Sequence, residues 1–163
     1  LIGLMIGQRV SDLLGLKKDM IRFEEGNIAM IDLVQQKTKT HVTIPVDNHY
    51  VLNILKSNLP HKISDQRLNE YMKEVFKRAG IDNKISGYKR NKKTNRKEFM
   101  TGPKYEFVTS HDLRRSFASY FYDKGKPVNT IMKITGHKRE STFYEYIGRN
   151  PNKDYDAYNF LNA

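Results

Sequence analysis

The chain contains no cysteine, which excludes disulfides and thiolate metal sites and favours a reducing compartment. It has no apolar run near membrane-spanning length and no secretory signal, so a cytoplasmic protein with no membrane partner is expected. No Walker-type phosphate loop, metal-ligand spacing or internal repeat is found. The five histidines are scattered, and His41, His49 and His61 form no ligand cluster and read as surface residues. Acidic side chains are scarce beside basic ones: 18 Asp+Glu against 29 Lys+Arg give a formal net charge of +11. Such an excess suits a polyanionic partner, most often nucleic acid. An initiator methionine is also missing: the chain opens in what reads as mid-helix, Leu1-Ile2-Gly3-Leu4-Met5-Ile6-Gly7. The expectation is one domain over residues 1–163 whose upstream part has been cut away.

The length of 163 residues and a hydrophobic content of 38% suit a single globular domain with a real core. Leu1 to Leu14 reads as a buried helix broken at Gly7-Gln8, with Arg9 in the turn and Leu16 completing an apolar face. From Met20 the period changes. Met20–Phe23, Ile28–Leu33 and His41–Ile44 are short and rich in β-branched or aromatic residues, and turns at Glu25-Gly26-Asn27 and Thr38-Lys39-Thr40 separate them. They predict a three-stranded antiparallel sheet. Pro45-Val46-Asp47 opens a helix with Val51, Leu52, Ile54 and Leu55 as its stripe. Ser64 or Asp65 caps another, carrying Leu68, Tyr71, Met72, Val75 and Phe76 up to Gly80. Both read as scaffold.

Lys84 to Lys104 is different. Lys89, Arg90, Lys92, Lys93, Arg96 and further lysines stand against Glu98 alone, with Tyr88, Phe99 and Tyr105 interleaved. Asn91 to Asn95 has no apolar residue and reads as a flexible loop or hairpin tip. Phosphate contacts, which give affinity without sequence information, are its natural use.

The densest chemistry lies in His111–Tyr146. A helix is predicted from His111 to about Asp123, capped by Thr109 or Ser110 and ended at Gly125. Pro127 starts the next helix, which stops near Gly136. His111 and Arg114 are neighbours on one helix face; His137 follows the glycine, and Tyr146 comes nine residues after it. Two imidazoles, a guanidinium and a phenol at helix ends suit a phosphodiester. Helix N-termini favour anions, arginine grips phosphate oxygens, histidine moves protons, and a tyrosine hydroxyl is a nucleophile.

His111-Asp112-Leu113-Arg114, then Gly136-His137, then Tyr146, resembles the signature of the tyrosine recombinases, the phage-integrase family. The resemblance extends upstream. Arg9, followed by Ser11 and Asp12, matches the family's first arginine turn, with Gln8 replacing the leucine commonly found there. Gln36-Lys37-Thr38 lies at the β-turn where the family's lysine is found; Lys37 is the choice and Lys39 the runner-up. Each element alone is weak, but their order and context make independent coincidence improbable.

The resemblance implies an α+β, mostly helical catalytic fold with a small three-stranded antiparallel sheet, the upstream core-binding domain being absent from this chain. It implies a site-specific recombinase or integrase acting through a 3′-phosphotyrosyl intermediate, with Arg9, Lys37, His111, Arg114, His137 and Tyr146 as catalytic residues and no metal or other cofactor. Lys39, Lys89, Arg90, Lys92, Lys93 and Arg96 are expected to contact DNA. The implied partners are duplex attachment sites and further copies of the chain, tetrameric on DNA and monomeric in isolation. The spacing selects Tyr146 over Tyr144, which then packs or flanks the DNA. The wording around His111 looks more like integrases of mobile elements than resolvers of replicon dimers. A catalytically inactive DNA-binding module and a type IB topoisomerase are the other readings. The tail, with Tyr155, Tyr158, Phe160 and Leu161 at roughly helical spacing, packs on a neighbouring protomer or on its own domain.

Overall fold

Alternation of apolar and polar residues builds the first sheet. In this computed structural model, which describes residues 1–91 and 93–149, β1 (Ile21–Glu24), β2 (Ile28–Val34) and β3 (His41–Val46) form an antiparallel sheet in that order. Opposite strand residues include Ile21 with Ile31 and Ile31 with Ile44. Every second residue of β2 and β3 points inward: Ala29, Ile31 and Leu33 meet Val42, Ile44 and Val46, all buried. Ile6 of α1 (Ile2–Ile6) and Val51, Leu52 and Leu55 of α3 (His49–Lys56) complete this core. Between them α2 (Val10–Leu14) adds the partly buried Leu13.

A second apolar cluster joins the last three helices, α5 (Ser110–Asp123), α6 (Val128–Thr135) and α7 (Glu140–Ile147). It gathers Phe117, Ala118, Ile131, Met132, Phe143 and Ile147, and the partly buried Ile134 packs against both clusters. These elements form one compact unit, Leu1–Leu59 with the described residues from Leu113. The other unit, Pro60–Asp112, holds α4 (Asp65–Arg78), the antiparallel pair β4 (Lys84–Arg90) and β5 (Lys97–Pro103), and a 3-10 turn over Lys104–Phe107. The boundary falls in the first turn of α5. There Thr109 donates from its N–H (2.8 Å) and hydroxyl (2.9 Å) to Asp112, so Thr109 takes the cap and an acid sits at the positive helix end.

One expectation needs correction and two are sharpened. Pro45 and Val46 do not open a helix but finish β3, where Pro45 lies opposite Met30. β3 is an edge strand, the place in a sheet that tolerates a residue without an N–H. Asn48 caps α3 instead, its side chain accepting the Val51 N–H at 3.2 Å. The apolar stripe of α4 is mostly not core: Met72 is buried, but Tyr71 and Val75 are 49% and 61% exposed. Most of Lys84–Lys104 is paired strand, from Lys84 opposite Pro103 to Arg90 opposite Lys97, so the polar stretch is the tip of a hairpin. Lys92 and the aromatic tail lie outside the described residues. Among the described residues, no helix is long and apolar enough to cross a membrane.

Candidate active site

The site begins with a glycine. Gly7 ends α1 at φ +61°, and a Cβ there would lie 2.3 Å from the Phe117 ring. Only glycine takes that backbone at so little cost and lets α5 approach so closely. The Gly7 carbonyl, freed at the helix end, accepts a hydrogen bond from Arg114 at 3.2 Å. Arg9 follows in an extended conformation as the N-cap of α2. Asp12, one turn on, is 5% exposed and accepts the backbone N–H of Gln36 at 2.8 Å. Gln36 in turn donates from its side chain to the Ser11 carbonyl at 3.0 Å. The Arg9 turn is therefore tied to the β2–β3 turn that carries Lys37.

Arg114 is 2% exposed, an unusual place for a cation. Besides Gly7 it donates to the Thr135 carbonyl and is hydrogen-bonded to Tyr146. Burial, then the like charge of Arg9, lowers its pKa to about 10, while Tyr146 and Asp12 act in the opposite sense. At neutral pH Arg114 remains a cation, but one held against desolvation and against a second guanidinium. An anion between the two arginines would relieve that repulsion.

Gly136 ends α6 at φ +67° and turns the chain so that the His137 N–H reaches the Met132 carbonyl at 3.0 Å. The Thr135 hydroxyl lies 2.8 Å from His137 Nδ1 and 2.8 Å from the Ile131 carbonyl. A hydroxyl has one proton. With that proton on the Ile131 carbonyl, Thr135 accepts from His137 Nδ1–H, which orients the imidazole. The His137 ring lies 4.8 Å from that of Tyr146, and the Arg115 guanidinium stands 5.4 Å from the Tyr146 ring.

Arg9, Arg114, His137 and Tyr146, separated by up to 137 positions in sequence, thus meet in one place. Lys37 is exposed on the adjoining turn, and Lys39 on the same turn is exposed with φ +55°. Tyr144 points elsewhere, edge-on to Tyr122 at 5.9 Å. His111 is exposed in the first turn of α5 and belongs to the other unit. On the hairpin, Lys89 is paired with Glu106 at 2.5 Å, and Arg90, Lys93 and Arg96 are exposed.

Gln35, Thr135 and Arg115 are site neighbours that sequence reasoning missed. The signal for Gln35 was present: Ala29, Ile31, Leu33 and Gln35 share one strand parity, so the glutamine points inward with the core. For Arg115 no local pattern distinguishes it from a solvated helix residue.

The model of the phage integrase family matches residues 1–153. A probable integrase/recombinase of Bacillus subtilis (strain 168), YoeC, is 26% identical over 149 residues, covering 91% of this chain and 74% of that protein. Among solved structures, the XerH site-specific recombinase bound to its difH substrate superposes with a TM-score of 0.65 at 17% identity, over 96% of this chain and 44% of that one. The Tn1549 transposon integrase in complex with a circular intermediate DNA gives 0.64 at 16% identity, over 99% and 56%. At these identities the structural likeness is one of fold. The chain spans about half the length of the solved structures that it matches.

Proposed function

The chain belongs to the phage integrase family, and from that premise we propose that it cuts and rejoins DNA strands at specific sites through a 3′-phosphotyrosyl intermediate, integrating or excising a mobile element. Tyr146 attacks the scissile phosphorus; a bond from its hydroxyl oxygen to phosphorus forms as the bond from phosphorus to the 5′-oxygen breaks. Lys37 gives the departing 5′-oxygen its proton, and His111 helps to accept the proton that the phenol loses. Arg9 and Arg114 hold the non-bridging oxygens, where charge grows in the transition state, and His137, carrying protons on both ring nitrogens, adds a hydrogen bond to them from Nε2. The phosphodiester is exchanged for an ester of similar energy, so rejoining needs no nucleotide hydrolysis.

The observation that supports this reading most is the pair of mutually repelling arginines beside a half-buried phenol and an oriented imidazole. Two cations held against one another, with Asp12 offsetting their repulsion only in part, are suited to an oxyanion. The DNA backbone is also the natural partner of the +11 charge and of Lys39, Arg90, Lys92, Lys93 and Arg96. Lys89, neutralised in part by Glu106, is the weakest of these contacts. On DNA the chain works as a tetramer, since four strands must be cut and rejoined in a complete exchange.

The test is covalent capture. The chain is mixed with a randomised pool of nicked duplexes in EDTA, denatured, and assayed for protein-linked DNA. Because two arginines supply the positive charge on the phosphoryl oxygens, adducts are expected with the chelator present. Capture that requires added Mg²⁺, or no capture at all, overturns the proposal.

A further inference from the structure

Two glutamines lie where a packed interior would ordinarily hold hydrocarbon. Gln8 and Gln35 are 2% and 0% exposed. A buried primary amide costs several kcal/mol if its polar atoms stay unpaired, on the order of the whole stability margin of a domain. These are paired. The Gln35 side-chain amide donates to Gln8 Oε1 at 2.7 Å and to the Ile134 carbonyl at 3.1 Å. Its Oε1 accepts the Thr38 hydroxyl at 2.7 Å and Arg9 at 3.4 Å, the longest of the four. Gln8 donates to the Ile6 carbonyl at 3.1 Å and to the Ile134 carbonyl at 2.7 Å.

The pattern leaves the Gln35 amide one orientation. Flipping it would set its donors against the Arg9 guanidinium and its oxygen against two acceptors, Gln8 Oε1 and the Ile134 carbonyl. The backbone of Gln35 is also engaged: its N–H donates to the Thr40 carbonyl at 2.9 Å, and its carbonyl accepts the Lys39 N–H at 2.8 Å, closing the hairpin turn. Gly136 makes room for the side chain, since a Cβ there would lie 2.1 Å from Gln35 Oε1.

We propose that Gln35, braced by Gln8, is a positioning residue that sets the Arg9 guanidinium, the Lys37 turn and the α6 end bearing His137 in one register. Gln35 touches three separately folded pieces of the site: the Arg9 turn, the residues flanking Lys37, and the last residues before His137. An apolar side chain would fill the same volume but carry no direction; a fully satisfied buried polar network does. The leucine common at position 8 in the resembled family could not take this part, so the device is a pairing of Gln8 with Gln35. The inference rests on the proposed strand-transfer chemistry, because the register matters only if these groups act on one phosphate.

Gln35→Met keeps the side-chain length and removes both polar atoms. The probe is a nicked duplex selected from a randomised pool by covalent capture on the unsubstituted full chain. The single-turnover rate of adduct formation is expected to fall about tenfold, as for loss of one oriented hydrogen bond, with the DNA dissociation constant changed less than about twofold. Gln8→Met is expected to act in the same direction, and thermal unfolding of both variants verifies that folded protein is compared. In an Arg9→Lys background, which has lost the planar fork, Gln35→Met should cost clearly less than in the unsubstituted chain, because part of its action runs through Arg9. Unchanged rates in folded variants, or a full additive loss in the Arg9→Lys background, overturn the assignment. Absence of any adduct on the unsubstituted chain defeats the strand-transfer reading instead, so the two failures are distinguishable.

Discussion

Tyr146→Phe is expected to abolish covalent attachment to DNA while leaving DNA binding in place. The substitution removes one oxygen, and in the proposed reaction that oxygen is the atom bonded to phosphorus in the intermediate. Tyr144 does not replace it: its ring turns toward Tyr122, 5.9 Å away and edge-on. The ring stays, so the contacts with His137 at 4.8 Å and Arg115 at 5.4 Å survive. The hydrogen bond with Arg114 is lost, which costs about 1 kcal/mol of stability. Denaturing electrophoresis of the captured nicked duplex reads the result. Tyr144→Phe is the comparison and should retain adduct, since its ring contacts persist. If Tyr144→Phe loses the adduct and Tyr146→Phe keeps it, the nucleophile has been assigned to the wrong residue.

Arg114→Ala is expected to have the second large effect, on two levels. In the reaction it removes a preorganised donor from oxygens that gain charge in the transition state, a loss of roughly 3–4 kcal/mol in barrier, or about two to three orders of magnitude in rate. In the fold it leaves the Gly7 and Thr135 carbonyls without their guanidinium donor, at a cost of roughly 1–3 kcal/mol for each that finds no water. Rates must therefore be expressed per folded molecule, with unfolding followed in parallel. Arg114→Lys separates charge from geometry: it keeps a cation but not the fork that reaches two carbonyls at once. It is expected to bring most of the same rate loss. A folded Arg114→Lys chain with undiminished cleavage would mean that positive charge alone is needed there.

Much of this was legible from the residues because it depends on local rules. The period-two pattern of β2 and β3 gave the sheet, and Gly7, Gly136 and Gly148 mark helix ends where the chain turns left-handed. The spacing of the resembled family selects Tyr146 over Tyr144, whose ring packs on Tyr122. What escaped depends on partners distant in sequence. Pro45 looks like a helix opener until β3 is seen as an edge strand. The strands β4 and β5 on either side of Asn91–Asn95 are hard to read because they hold no buried residue, leaving little hydrophobic alternation. The four bonds of Gln35 reach Gln8, Arg9, Thr38 and Ile134, from two other stretches of chain as well as its own turn, and no window of sequence contains them.

Whether these groups surround one phosphorus atom can be seen in crystals of the chain grown with orthovanadate. Vanadate mimics a phosphoryl group in its five-coordinate state, so it should occupy the place of the scissile phosphate. A single vanadate is expected, with oxygens in hydrogen-bond reach of Arg9, Arg114 and His137, and with the Tyr146 hydroxyl directed at vanadium. Vanadate bound elsewhere at saturating concentration, with this site empty, would contradict it.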